Sequence, residues 1–267
     1  THRQETLVLT ARIMQEHDVI ILEEPPHADF AQVLTGNLEI KEHMLELDID
    51  YPEFTAGQYR LLQQFFAVGK QTLQVEPYLE HLLRIQYFFA EGHSPEEIKP
   101  NTIAYSVYCA ERDATGMLIN YYQEARGDDF DKILSTMTSF ARADAARFVL
   151  RDSLRAERIL ELLVPGKDTY VEAGSIHLLL YRLLAKSLSK AWHLHIHSVD
   201  REAVRILNRK GNLFSPGDNL TLSYIYGREV NRRKWQKQCA QSLIYSKIVK
   251  NEEMLGGGTK YPHTHNE

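Results

Sequence analysis

Short strand-like segments alternate along the chain with longer segments of helical periodicity. Three segments have the length and composition of strands, at residues 18–22, 71–75 and 169–173. The first, Asp18-Val19-Ile20-Ile21-Leu22, has β-branched residues on consecutive positions, which is typical of a parallel strand buried on both faces. Between the three segments, apolar residues recur at helical spacing. The pattern predicts an α/β fold with a largely parallel sheet flanked by helices.

Helices are predicted over most of the remaining chain. Two long helical stretches, 103–124 and 130–163, interrupt the α/β alternation, so we expect residues 78–163 to form a helical insertion that makes a cap over the strand ends or a small lobe. One further helix is predicted to end at residue 17. The others cover 28–68, 78–92, 178–188, 200–207 and most of 216–253.

Residues 192–197 alternate between apolar residues and histidines, a pattern that predicts a fourth strand. His193, His195 and His197 would share one face of it. Imidazoles two residues apart on a strand face can bind one metal ion. A half-exposed strand with a polar outer face explains the same alternation, and we prefer that interpretation because no other ligand type occurs at fixed spacing.

The length of the chain favours one domain. We expect residues 1–255 to form a single α/β domain and residues 256–267, which contain three successive glycines, to form a flexible tail. The chain begins with Thr1 and has no initiator methionine, so we expect a truncated N-terminus.

Composition and charge narrow the possible partners. The 267 residues carry a formal net charge of -5, which gives no general attraction to nucleic acid or to an anionic membrane. No apolar run approaches the roughly 20 residues of a membrane span. The two cysteines are far apart in sequence, which favours a reducing, cytoplasmic location. Neither nucleic acid nor a membrane is therefore an expected partner. No Walker loop, G-x-G-x-x-G or G-x-S-x-G motif is present, which excludes the commonest nucleotide-binding and serine-hydrolase classes.

Chemically active residues follow each of the three predicted strands. Glu23 and Glu24 follow the first, Glu76 follows the second, and a glycine turn delivers His177 after the third. Parallel sheets bind ligands outside the carboxyl ends of their strands, so these side chains are candidates for one site. Solvated strand ends explain the two adjacent acids equally well, and Glu76 also suits a helix start.

Arginines recur on one face of the helix predicted at 130–163. Their spacings of four, four and three residues form a stripe that could bind a phosphate or a carboxylate. A solvated face with ion pairs to nearby acids is the commoner explanation. The stripe consists of Arg147, Arg151, Arg155 and Arg158, and the acids are Asp144, Asp152 and Glu157.

Together these landmarks resemble the superfamily that joins the TraB/Tiki, ChaN-like and erythromycin esterase-like proteins. Its members carry two G-x-x-H motifs, an acid at the end of the strand after the first motif, and an arginine on a helix before the second. The glycine of the first motif would precede Thr1. The segment Ser153-Leu154-Arg155-Ala156 departs from the small and methionine residues usual in relatives. The matching segments are Thr1-His2, Leu22-Glu23, Leu150-Arg151-Asp152 and Gly174-Ser175-Ile176-His177.

The resemblance implies a hydrolase whose catalytic residues His2, Glu23, Arg151 and His177 converge at one cleft. In one version, His2, Glu23 and His177 bind a divalent metal (Zn, Mn or Fe) whose water is the nucleophile. In another, the histidines activate water directly and Arg151 stabilises the oxyanion. We assign Glu24, Glu76 and Arg155 to substrate binding.

Two other functions compete with hydrolysis. A non-catalytic protein that binds haem, iron or a small ligand, of ChaN-like type, would use a histidine or tyrosine in an apolar pocket. A tyrosine-rich segment keeps that alternative open. The third possibility is a decayed site on a helical interaction scaffold. The tyrosines are Tyr105, Tyr108, Tyr121 and Tyr122.

Overall fold

The computed structural model describes residues 4–45, 47, 49, 51–206, 214–228 and 231–248. Of the expectations above, those on His2, on the glycine before Thr1 and on the tail at 256–267 lie outside the described residues.

A three-stranded parallel sheet lies at the centre of the fold. Its strands are β1 (Val19–Leu22), β2 (Gln71–Gln74) and β3 (Thr169–Val171). The order is β2-β1-β3, and Val19 of the central strand lies opposite Gln71 on one side and Thr169 on the other. All four residues of β1 are buried, as a continuous β-branched run requires. The α/β fold with a parallel sheet is therefore confirmed.

Helices flank this sheet and account for most of the described chain. A short 3₁₀ turn at Pro95–Glu97 separates two of them. The helices are α1 (Gln4–Gln15), α2 (Phe30–Leu34), α3 (Ile40–Leu45), α4 (Pro52–Ala67), α5 (Pro77–Ala90), α6 (Ile103–Glu124), α7 (Phe130–Leu162), α8 (Leu178–Ser187), α9 (Val199–Ile206), α10 (Pro216–Ile225) and α11 (Arg232–Ile248).

The two faces of the sheet pack against different helices. Ile20 and Leu22 of β1 pack with Tyr59 of α4 in one buried cluster. Val19 and Ile21 pack in another cluster, with residues of α7 and α8. Since side chains alternate along a strand, the two acids that follow β1 also point to opposite faces. Glu23 contacts arginines of α7, and Glu24 contacts α4.

The helical insertion forms a small lobe together with the C-terminal helices. One buried cluster contains Tyr121 of α6, Met137 of α7, Leu220 of α10 and Cys239 of α11. Helices α10 and α11, which lie outside the predicted insertion at 78–163, thus supply part of the core of this lobe.

Two predicted elements differ from the structure. The helix expected at 28–68 is divided into α2, α3 and α4, because Gly36 takes a left-handed φ of 75° after α2 and Pro52 starts a new helix at α4. The strand expected at 192–197 is wrong: these residues have no regular secondary structure. Leu194 packs against the sheet cluster, whereas Ile196 is exposed together with His193, His195 and His197.

Candidate active site

The site lies at the carboxyl edge of the sheet, where three chain segments and one helix meet. Glu23 follows β1, Glu76 lies two residues after the end of β2, and the turn after β3 leads to His177. Helix α7 crosses this edge and contributes Arg151 and Arg155, which are four residues apart and therefore share a face.

Glu23 is the hub of the site. Its Oε1 accepts hydrogen bonds from Arg151 Nη2 at 3.0 Å and His177 Nε2 at 2.9 Å. Its Oε2 accepts the backbone N–H of Gly174 at 2.5 Å and pairs with Arg155 Nη1 at 3.4 Å. A Cβ at position 174 would lie 3.6 Å from Oε2, an ordinary van der Waals distance, so this hydrogen bond does not itself require glycine.

The charge state of Glu23 follows from these contacts. Burial alone raises the pKa of the carboxyl, but the hydrogen bond from His177 and the charges of His177, Arg155 and Arg151 outweigh burial. The pKa of Glu23 therefore lies well below its ordinary value, and the group is a carboxylate.

His177 is held between two carboxylates. Its Nδ1 bonds to Asp152 Oδ1 and its Nε2 to Glu23 Oε1, and only 5% of the residue is exposed. Burial lowers the pKa of the imidazole, but the bonds to Asp152 and Glu23 raise it to about 9. Phe148 packs against the ring at a centroid distance of 5.2 Å. At neutral pH the imidazole is thus doubly protonated and carries a positive charge.

Asp152 fixes the orientation of this imidazole. Its second oxygen, Oδ2, accepts the backbone N–H of Leu180 at 3.0 Å, in the first turn of α8. The carboxylate is 1% exposed. The sequence suggested Asp152 only as an ion-pair partner for the arginine stripe. Its contact with His177 depends on how α7 and α8 pack, which short-range spacing does not reveal.

Arg151 donates its hydrogen bonds to carboxylates, whereas Arg155 donates its hydrogen bonds to backbone carbonyls. Arg151 Nη2 donates to Glu23 and, at 3.1 Å, to Glu76 Oε2. Arg155 is fully buried, and it donates to the backbone carbonyls of Val75 at 2.9 Å and Glu172 at 2.6 Å. It therefore ties together the ends of β2 and β3. Glu76 and Arg155 are both 0% exposed, so contact with a substrate would need the edge to open.

Another pair of carboxylates lies on the α4 side of the same edge. Glu24 Oε2 accepts hydrogen bonds from Tyr59 Oη at 3.1 Å and Gln74 Nε2 at 2.9 Å. Glu172 accepts them from Gln58 Nε2 at 2.8 Å and from the backbone N–H of Glu23 at 3.3 Å. The hydrogen-bond donors of this pair are all neutral, whereas Glu23 accepts a hydrogen bond from the guanidinium of Arg151 and forms an ion pair with that of Arg155.

The pKa values of both acids are raised, and burial is the largest cause. The charges of Glu24 and Glu23 add to it at Glu172, whose pKa rises to about 7. Sequence reasoning missed Glu172 as a site residue. The signal was present, because Glu172 directly follows β3 as Glu23 directly follows β1.

The arginine stripe divides between two environments. Arg151 and Arg155 enter the site, whereas Arg147 pairs with Asp144 at 2.7 Å on α7 itself. Arg158 pairs with Glu161 at 2.7 Å on an exposed face. The ion-pair explanation therefore holds for the two outer members of the stripe.

The described donors do not fit a metal centre. No group of three His, Cys, Asp or Glu side chains within the described ranges could hold a metal ion. Glu23 and His177 bond directly to each other, and Glu23 faces two guanidiniums that repel a divalent cation. His2, the third expected ligand, lies outside the described residues.

Comparison with known proteins adds one distant relative. An uncharacterised protein of Archaeoglobus fulgidus is 26% identical over 273 residues, which cover 99% of this chain and 88% of that protein. No protein-family model matches the chain, and no solved structure does. None of the helices in the described ranges is both long and apolar enough to cross a membrane. The similarity thus spans sheet and lobe alike and brings no activity with it.

Proposed function

We propose that the protein is a hydrolase that activates water at the carboxyl edge of the sheet, where Glu23, Glu172, His177 and Arg151 lie, and acts on a small-molecule or peptide substrate. The observation that carries this proposal is the buried chain of hydrogen bonds from Asp152 through His177 to Glu23, at the carboxyl edge of a parallel sheet. Buried titratable groups whose pKa values move in opposite directions are a mark of acid–base sites.

The charge states suggest a role for each group. His177 carries its proton at neutral pH and suits a general acid, which would give its Nε2 proton to a leaving group that displaces Glu23 from that nitrogen. Glu172, with a pKa of about 7, suits the acceptor of a proton from water. Arg151, 18% exposed at the side chain, suits the stabilisation of a developing oxyanion. In this proposal Glu23 holds His177 and Arg151 in place.

The test is a hydrolysis screen with matched variants. Wild-type protein, Glu23→Gln, His177→Ala and the surface control Arg158→Gln are assayed against chromogenic esters, phosphoesters, lactones and peptides. We expect at least one substrate class to be hydrolysed, with a loss of about 100-fold or more in Glu23→Gln and His177→Ala. The control should keep full activity. Equal activity in Glu23→Gln and wild type would contradict the proposal.

Elemental analysis separates the metal-dependent version from the metal-free one. Zinc, manganese or iron at one equivalent in the wild type and lost in His177→Ala would establish a metal site that includes His177. Protein that hydrolyses its substrate with no bound metal, and keeps its rate in chelator, would establish direct acid–base catalysis.

The haem-binding alternative stays a prediction. Tyr105 and Tyr108 pack against one buried cluster, while Tyr121 belongs to a different one in the lobe, and Tyr122 is half exposed. A Soret band that shifts from its position in free haem when the protein is added would support haem binding. The cytoplasmic location also stays a proposal, supported by two free cysteines, Cys109 and Cys239.

A further inference from the structure

A second concave surface lies in the helical lobe, between the first half of α7 and the start of α11. This α7–α11 cleft has a volume of about 310 Å³ and is lined by polar side chains, among them Arg142 of α7 and Arg232 of α11. Arg142 precedes Arg151 by nine residues, which is about 14 Å along a helix axis. The α7–α11 cleft is therefore separate from the site at the sheet edge.

The charge of this cleft is opposite to that of the whole molecule. Arg142 and Arg232 face it from two helices, and neither makes an ion pair with a carboxylate of the described residues. Asp131 is the one acid among the lining residues. Two cations and one anion give a local charge of +1, in a chain of formal charge -5.

The start of α11 adds to this positive potential at a cost in stability. Its first turn contains Arg232, Arg233 and Lys234 and no acidic residue. The N-terminus of a helix is the positive end of its dipole, so each cation there is unfavourable by about 0.3–1 kcal/mol. Residues that destabilise the fold locally are expected at functional sites, where a bound ligand can offset their cost.

The walls of the cleft are fixed before any ligand binds. Trp235 Nε1 donates to Thr138 Oγ1 at 2.9 Å, and Thr138 donates in turn to the carbonyl of Leu134 at 2.7 Å. The guanidinium of Arg142 lies 5.2 Å from the centre of the Tyr224 ring. An aromatic wall and one cation are thereby held in place, which lowers the entropic cost of binding.

We propose that the α7–α11 cleft binds a small phosphate monoester with an aromatic or heteroaromatic group. The phosphate lies between Arg142 and Arg232, whose planar guanidiniums match its oxygens, and the ring packs against Trp235. The volume of the cleft is at the lower end of the range for small-molecule sites.

The test uses the fluorescence of Trp235. The chain has two tryptophans, so Trp192→Phe leaves Trp235 as the single reporter. Adenosine monophosphate, adenosine and inorganic phosphate are titrated into this protein at fixed ionic strength. We expect adenosine monophosphate to change the emission saturably, and adenosine to bind at least about tenfold more weakly, since it lacks the charged hydrogen bonds.

Variants decide whether the two arginines are responsible. Arg142→Gln and Arg232→Gln should each weaken the binding of adenosine monophosphate by about tenfold or more. Arg158→Gln, an exposed arginine sixteen residues further along the same helix, should leave it unchanged. Equal binding of adenosine and its monophosphate, or equal losses in all three variants, would overturn the proposal. Because the experiment measures binding in the lobe, its outcome is independent of the proposed hydrolase activity.

Discussion

The two nitrogens of His177 both bond to carboxylates, and this decides what the residue can do. An imidazole with one free nitrogen can accept a proton from water, but His177 Nε2 is engaged by Glu23 and Nδ1 by Asp152. From its position in the sequence alone, this histidine could act as either a base or an acid. Its partners, which the sequence places 154 and 25 positions away, make the difference.

Replacement of Asp152 by Asn should lower the pKa of His177. The hydrogen bond to Asp152 is the largest influence that raises this pKa from 6.5 to about 9, while burial continues to lower it. We expect a fall of at least one unit, measured by titration of the ring nitrogens with ¹⁵N NMR. The exposed Asp128→Asn serves as control and should leave the titration unchanged. A pKa near 9 in Asp152→Asn would show that Glu23 alone sustains the charge.

At the scale of secondary structure, the carboxyl edge of the sheet is held by a side chain where the strands are too short to do so. The strands β1, β2 and β3 have only four, four and three residues. Arg155 donates to backbone carbonyls just beyond β2 and β3 and faces Glu23, which follows β1. A buried guanidinium thus extends the sheet past its last backbone hydrogen bonds.

Arg155→Lys should destabilise the fold although the variant keeps the positive charge. A lysine ammonium cannot reproduce the geometry of two donors aimed at two different strands, and buried carbonyls would lose their partners. We expect a loss of about 3–5 kcal/mol in the free energy of unfolding. Urea denaturation measures this loss, with Arg158→Lys on the exposed face as the control. A loss as small as that of the control would mean that the edge is held by the backbone alone.

Sequence patterns predicted the elements that obey local rules. The three strands and the helices α6, α7 and α8 were predicted within a few residues, because their periodicity and end signals are local. The residues that follow each strand were correctly picked as neighbours for the same reason: Glu23, Glu76 and His177 all lie at one edge. Asp152 was missed as a partner of His177 because that contact depends on packing between α7 and α8.

Local patterns did not predict the structure of residues 192–197 or the packing of α10 and α11. The hydrophobic alternation at 192–197 pairs with none of the three described strands. Alternation of apolar and polar residues does not by itself require a ladder of hydrogen bonds. The joining of α10 and α11 to the lobe is a long-range contact, which no spacing within either helix encodes.

For the molecule as a whole, three buried groups set the pH dependence of stability in different directions. The pKa of Glu23 is lowered on folding, so its contribution is present above its ordinary pKa of 4.5 and lost as the pH falls. The pKa of His177 is raised, so its contribution is complete below 6.5 and lost as the pH rises through about 9. The pKa of Glu172 is also raised, so stability declines from pH 4.5 to about 7 on its account.

Glu172→Gln should flatten this curve on its neutral side. The amide keeps an acceptor oxygen for Gln58 but has no proton to lose, so the decline between pH 4.5 and 7 should shrink by up to about 3 kcal/mol. Urea midpoints across pH 4–9 measure the effect. The exposed Glu157→Gln should keep the wild-type curve. An unchanged slope in Glu172→Gln would mean that the carboxyl of Glu172 titrates near its ordinary value in the folded protein.

Helix α7 has 33 residues and, at 1.5 Å per residue, is about 50 Å long. It contributes one wall of the lobe cleft near its start and the arginines of the sheet edge near its end. A stiff helix of this length therefore couples the position of the lobe to that of the sheet edge. A tilt of the lobe by 5° about the middle of the helix would shift Arg151, roughly 7.5 Å away along the axis, by about 0.7 Å, which is enough to break a hydrogen bond of ordinary length.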